Sequence, residues 1–161
     1  MANFDLSQTD HLLTTTRAVR KRLDLERPVP RELIAECLDV AIQAPTGGNT
    51  QRWRFVVVDD ADKKAALADM YRKGWKPYLE ASKKNREDAG LNPETMVSDS
   101  ADYLADHLHE VPAMLVPCLL DRGDGAGHWG SIIPAMWSFM LAARSRGLGT
   151  ALTTIHLFEE A

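Results

Sequence analysis

Apolar residues recur at helical spacing in several stretches of this chain and at strand spacing in others. Leu33, Ile34, Cys37, Leu38, Ala41 and Ile42 fall on one face of a 3.6-residue repeat, so residues 31–44 are expected as an amphipathic helix. Pro30 opens it and Pro45 stops it. Residues 5–15 are expected as a short helix, with Ser7 as N-cap and Asp10 three residues on. Leu67, Met70 and Tyr71 predict a helix over 61–73. Val97, Ala101, Leu104 and Leu108 predict another. Ile132, Met136, Phe139, Met140 and Ala143 predict a long apolar helix closed by Gly147.

Strand signals are fewer. Residues 53–59 are rich in β-branched and aromatic side chains. Residues 111–120 predict a second strand, with Pro117 assigning it to an edge or a bulge. Residues 149–155 are expected as a third. Between these elements, Thr46-Gly47-Gly48-Asn49 reads as a loop. Residues 74–95, holding Gly74, Pro77, Gly90 and Pro93, read as irregular and polar. Residues 121–130 read as a glycine-rich loop. Three strands with several helices give an α+β or α/β class.

Composition narrows the function classes. The chain has 161 residues, 45% hydrophobic and 26% charged, which suits one globular domain with a good core. The net charge of -4 provides no bulk attraction for phosphate backbones. A local basic stretch, Arg17 to Arg31, would suit a nucleic-acid arm, but the acidic remainder argues against that reading. No apolar run approaches the ~20 residues of a membrane span. Two cysteines, Cys37 and Cys118, make no disulfide scaffold. With no signal-peptide layout at the N-terminus, the expectation is a cytoplasmic protein with neither nucleic acid nor membrane as partner.

Two segments carry chemistry. Arg17-Ala18-Val19-Arg20 offers guanidinium forks that bind phosphate oxygens bidentately and stay charged. The segment from Ala44 to Trp53 joins glycines, which permit close backbone approach, to Asn49 and Gln51, which supply donors and acceptors. A solvated helix end and a helix-terminating turn are the plain alternatives for each segment taken alone. Other candidates fall short. Gly125, Gly127 and Gly130 spell G-x-G-x-x-G, but the strand before them ends too early for a dinucleotide turn, and a loop near the active site is the better reading. His107 and His109 point to different faces of a helix, so no metal site is expected. Cys37 lies on an apolar stripe and reads as core.

Taken together, the segments resemble the nitroreductase family of FMN-dependent oxidoreductases. The family carries an R-S-x-R signature, matched by Arg17-Ala18-Val19-Arg20, and an A-P-S-x-x-N-x-Q-P-W segment, matched from Ala44 to Trp53. It also carries a long helix ending in G-L-G-T, matched by Gly147-Leu148-Gly149-Thr150. Ala18 stands where the family has Ser, and Arg52 where it has Pro.

The resemblance implies an α+β fold, a mixed sheet flanked by helices, in an intertwined homodimer with two flavins at the interface. It implies hydride transfer from NAD(P)H to FMN, and then to a nitroaromatic, quinone or similar acceptor, by a ping-pong mechanism. A non-catalytic flavin-binding protein is the alternative. Arg17 and Arg20 would hold the phosphate, with Ala18 adding main-chain contacts. Pro45, Thr46, Gly47 and Asn49 would reach the flavin bound mainly by the partner subunit, with Gln51 close behind. Thr153, Thr154 and His156 would lie near the ring, and the Gly47 N–H and Asn49 side chain would stabilise charge on it. No dedicated catalytic acid or base is required. Family members continue for several dozen residues, so the single domain is expected to be incomplete at its C-terminal end, and 74–95 is either a solvated loop or a lid.

Overall fold

A computed structural model describes residues 4–120 and 125–159. The chain divides into two compact units, each assembled from separated stretches of sequence.

The first unit holds residues 1–19, 28–57 and 115–151. Its helices are α1 (Leu6–Thr15), α2 (Arg31–Ala41) and α5 (Ala126–Ser145). The cap of α1 is Asp5 and not Ser7: the Asp5 carboxylate accepts from the Gln8 N–H at 3.2 Å, and the Ser7 hydroxyl donates to it at 2.9 Å. Those bonds hold the Asp5 carboxyl below its usual value. A carboxylate preceding the helix therefore outcompetes a hydroxyl inside the first turn. Helix α2 ends at Ala41, four residues before the predicted stop at Pro45, because the chain already turns through residues 42–44.

Both α1 and α2 pack on α5. Ile34, Cys37 and Ala41 of α2 are buried, as are Ile132, Ala135, Met136, Phe139 and Met140 of α5. Cys37 is fully buried, and burial pushes its thiol pKa up, consistent with a core role. Helix α5 closes on Gly147 at φ 80°, with the Leu148 N–H donating to the Ala143 carbonyl at 2.9 Å. That is the Schellman end expected of the glycine.

The sheet pairs β1 (Trp53–Val58) with β2 (Met114–Leu119). The Leu120 N–H donates to the Arg52 carbonyl at 2.9 Å, so the start of β1 meets the end of β2, as in an antiparallel pair. Among the described residues β2 pairs only with β1, an edge position of the kind that tolerates Pro117. Trp53 of β1 packs with Ile132 and Ala135, and Ala44, Phe55 and Leu119 close around them. The expected third strand does not form among the described residues. Residues 150–154 have strand-like composition but no ladder, and the Val19 N–H donating to the Thr150 carbonyl at 2.8 Å ties this segment down instead.

The second unit holds residues 20–27, 58–114 and 152–161. Its main element is α3 (Ala61–Asp88), 28 residues long and capped by Asp60. This corrects the reading of 74–95 as irregular: the helix runs on for fifteen residues past Lys73. Gly74 sits inside it because Ile155 packs so close that a Cβ at residue 74 would lie 2.8 Å from the Ile155 carbonyl oxygen. Pro77 forfeits one helical N–H without ending the helix. Helix α4 (Met96–His107) follows, opened by a capping box between Thr95 and Ser98. Tyr71 and Trp75 of α3 form a core with Ala101 and Ala105 of α4, and Leu79, Leu108 and Ile155 pack against it.

The glycine-rich stretch also differs from its reading. Residues 121–124 lie outside the described residues, but Gly125 is the N-cap of α5, and Gly127 and Gly130 are helical. With β2 ending at Leu119, the G-x-G-x-x-G spelling forms no strand-turn-helix phosphate loop.

Candidate functional site

In the first unit, the segment after α2 becomes a tight turn at Gly47–Asn49. Gly48 has φ 59°, Asn49 φ 54° and Gln51 φ 48°. Left-handed backbone is nearly free for glycine but costly for Gln, and it persists only where surrounding bonds hold it. Here they do. The Asn49 N–H donates to the Thr46 carbonyl at 3.0 Å, and the Gln51 N–H donates to the Thr46 hydroxyl at 3.2 Å. The Gln51 side-chain amide donates to the Asn49 carbonyl oxygen at 3.3 Å. That last bond uses the oxygen of Asn49 and not its amide N–H groups. Pro45, Gly47, Asn49 and Gln51 are exposed, and Thr46 is half-buried.

The Gly47 N–H donates to the Ser131 hydroxyl at 3.1 Å, and Ser131 passes its own proton toward the Gly127 carbonyl at 2.7 Å. This anchors the turn to α5. It also engages the Gly47 N–H within the protein. Ser131 was invisible to motif reading. It is one of two described buried polar residues, and only packing brings it across 84 positions of sequence to Gly47.

Arg17 and Ala18 follow α1, both exposed. Arg17 donates to the Thr16 carbonyl at 2.7 Å. A second guanidinium unnoticed in the sequence, Arg144 of α5, donates to the Thr15 carbonyl at 3.0 Å and to the Thr15 hydroxyl at 2.6 Å. It fixes the end of α1 from which the Arg17 segment departs.

In the second unit, Arg20 is half-buried and donates to the Ser100 hydroxyl at 3.5 Å. Thr153 lies beside the buried Tyr71 hydroxyl, and the Ile155 N–H donates to the Thr153 hydroxyl at 3.5 Å. Burial raises the Tyr71 pKa, while the Thr153 bond and the Arg20 charge oppose the rise. Trp75 stacks on Tyr71 at 6.2 Å between ring centroids and donates its indole N–H to the Asp102 carboxylate at 2.6 Å. Thr154 is exposed, and His156 is half-buried in the turn Ile155–Glu159. The structure thus groups Arg17, Ala18 and Pro45–Gln51 within one unit, and Arg20, Thr153, Thr154 and His156 within the other.

Among the described residues, no group of three or more His, Cys, Asp or Glu side chains is placed to hold a metal ion. No described helix is long and apolar enough to cross a membrane.

The described chain thus combines five α-helices with a two-stranded sheet and a glycine turn anchored to α5. The chain belongs to the Nitroreductase family, whose profile matches residues 13–160. It is 31% identical over 138 residues to a 5,6-dimethylbenzimidazole synthase of Rhodospirillum rubrum, a match covering 80% of this chain and 61% of that protein. The chain thus spans under two thirds of that relative's length. It is 26% identical over 148 residues to an iodotyrosine deiodinase of Thermotoga neapolitana, covering 92% of this chain and 75% of that one.

Solved structures agree on the fold. An iodotyrosine deiodinase bound to FMN and 3-iodo-L-tyrosine matches with a TM-score of 0.66 at 24% identity, over 89% of this chain and 72% of that one. The FMN-dependent nitroreductase NfnB of Mycobacterium smegmatis, in complex with NADPH, matches with a TM-score of 0.61 at 20% identity, over 89% and 73%.

Proposed function

We propose that this chain is an FMN-dependent oxidoreductase that takes hydride from NAD(P)H and reduces a conjugated acceptor such as a quinone or nitroaromatic. The observation that carries this reading is the Thr46–Gln51 turn: an exposed backbone held left-handed at three positions and pinned to α5 through Ser131. Strain of this kind concentrates where a ligand is gripped.

The residues present fit the cofactor. The segment from Ala44 to Trp53 holds no carboxylate, and it offers amide donors to a neutral or anionic ring edge. Arg17 of the first unit and Arg20 of the second each carry a guanidinium, the group that binds phosphate oxygens bidentately. FMN, when bound, supplies two-electron chemistry in two half-reactions, one with NAD(P)H and one with the acceptor. The chain's own part is positioning. Ser131 and Thr46 fix the turn that presents the Asn49 amide, and Arg144 fixes the exit of α1 ahead of Arg17.

A homodimer is part of the proposal. Trp129, Ile133 and Trp137 repeat every fourth residue along α5 and are 41%, 38% and 43% exposed. An apolar stripe of this size in water is costly, and a second copy of the chain would bury it. The test is the visible spectrum of the purified protein, with NAD(P)H oxidation in the presence of a quinone and its mass in solution. A yellow, dimeric, active protein is expected. Flavin without turnover would favour a non-catalytic flavin-binding protein. An Arg17→Ala/Arg20→Ala variant should lose about tenfold or more in FMN affinity. An unchanged affinity would remove both residues from the phosphate site.

A further inference from the structure

Residues 16–19, which lead out of α1, are tied at both ends within the first unit. At the near end Thr16 is buried. Its N–H donates to the Leu12 carbonyl at 3.2 Å, and its hydroxyl donates to the same oxygen at 2.6 Å. Arg144, in the last turn of α5, crosses 129 positions of sequence to reach Thr15. Its Nη1 donates to the Thr15 carbonyl at 3.0 Å and its Nη2 to the Thr15 hydroxyl at 2.6 Å. That hydroxyl gives its own proton to the His11 carbonyl. At the far end, the Val19 N–H donates to the Thr150 carbonyl at 2.8 Å. Arg17 and Ala18 lie exposed between the two ties.

Both ties come from one support. Arg144 and Thr150 stand on either side of Gly147, where the chain reverses at φ 80°. The Leu148 N–H closes that reversal on the Ala143 carbonyl at 2.9 Å. Arg146 fastens it to α2, donating to the Glu36 carboxylate at 3.1 Å.

We propose that the end of α5 is a bracket for a phosphate-binding span, with Arg144 as a positioning residue that acts on the phosphate of FMN through residues 16–19. This rests on the flavin reading above and deepens it, since it makes the phosphate seat a preformed part of the fold.

The chemistry of each tie supports that role. The last carbonyls of a helix have no helical partner, and a guanidinium can satisfy them. Two donors on one planar group fix a direction as well as a distance. Both terminal nitrogens of Arg144 are engaged at Thr15, so its grip is on the backbone that leads to Arg17. A loose span must be ordered when a ligand binds, and that ordering weakens affinity. A span already tied at both ends meets the phosphate without that cost.

The test compares FMN with riboflavin, the same ring without the phosphate. Both are titrated into the purified full chain after any bound flavin is removed, and flavin fluorescence reads the binding. The native chain should prefer FMN by about tenfold or more. Arg144→Gln should narrow that preference about 3- to 10-fold and leave riboflavin affinity unchanged. Arg144→Lys, which keeps the charge and loses the fork, should recover part of it. Thr15→Val keeps the Arg144 charge but removes the hydroxyl it grips, and should narrow the preference by a smaller factor. Amide exchange at Val19, followed by NMR without flavin, is the second readout. It should quicken in Arg144→Gln.

An FMN preference that Arg144→Gln leaves intact would overturn the proposal while sparing the flavin reading. Equal native affinities for FMN and riboflavin would overturn it too. So would a loss shared equally by both flavins, which would mark Arg144 as structural support only. A loss in Arg144→Gln with none in Thr15→Val would do the same, since Arg144 would then act by its own charge. A chain that binds neither flavin, yet exchanges its Val19 amide faster in Arg144→Gln, would sink the flavin reading and leave the bracket standing.

Discussion

Replacing Gly74 by Ala tests how the second unit is held together. A Cβ at residue 74 would lie 2.8 Å from the Ile155 carbonyl oxygen and 3.0 Å from its Cγ2. The nearer obstacle is backbone, so relief requires α3 and the Ile155 segment to separate. Overpacking of this kind costs about 1–3 kcal/mol. Ala also favours a helix over Gly by about 1 kcal/mol. The net expectation is a loss of about 0–2 kcal/mol, the steric cost partly offset by helix propensity.

A control isolates the steric cost. Gly130 is also helical, and a Cβ there would meet nothing within 4 Å. Gly130→Ala should therefore gain about 0.5–1 kcal/mol from propensity alone. The difference between the two variants then approaches the overpacking term itself, about 1–3 kcal/mol. For a chain of this size, each kcal/mol moves the melting point by about 2–4 °C. Thermal and urea unfolding followed by circular dichroism would read the difference. The Ile155 N–H donates to Thr153, which lies beside Tyr71, so Gly74→Ala should also disturb the Tyr71 titration. A Gly74→Ala protein as stable as Gly130→Ala would refute the close approach.

Two further outcomes follow from the same unit. Trp75→Phe strips the Asp102 carboxylate of an indole donor and should cost about 1–3 kcal/mol; Asp102→Ala should then cost less in that background than in the native chain, and full additivity in urea melts would refute the pairing. The Tyr71 phenol is raised above 10.0 by burial, so the folded state favours its neutral form: this contribution to stability is complete below pH 10.0 and is lost as pH climbs toward the raised value. Ultraviolet titration of the folded protein against Tyr71→Phe checks it, and a tyrosine at residue 71 ionising at or below pH 10.0 would contradict the burial argument.

Local signals in the sequence were sufficient wherever one element decides its own fate. The apolar stripe of α2, the run of β1, the proline-bearing β2 and the Gly147 stop of α5 were all legible, because periodicity and φ preference act within a few residues. The Arg17–Arg20 and Ala44–Trp53 segments stood out as candidate chemistry because residue type and spacing are read directly from the sequence.

What the sequence could not disclose depended on distant partners. Gly74 and Pro77 looked like breakers, yet α3 runs through both, because burial of Tyr71, Gly74 and Trp75 outweighs local propensity and Ile155 needs the space that glycine leaves. Residues 149–155 had the composition of a strand and formed none, since a strand exists only where a neighbouring edge accepts it, and composition cannot say where that edge lies. Ser131, Arg144 and Tyr71 carried no motif. Their roles arise from contacts 84, 129 and 82 positions away in the chain, made only when α5 meets the Gly47 turn and the end of α1, and when α3 meets Thr153. Hydrogen bonds are short-ranged and directional, so a donor's partner is settled by the fold that delivers it and not by the residues beside it.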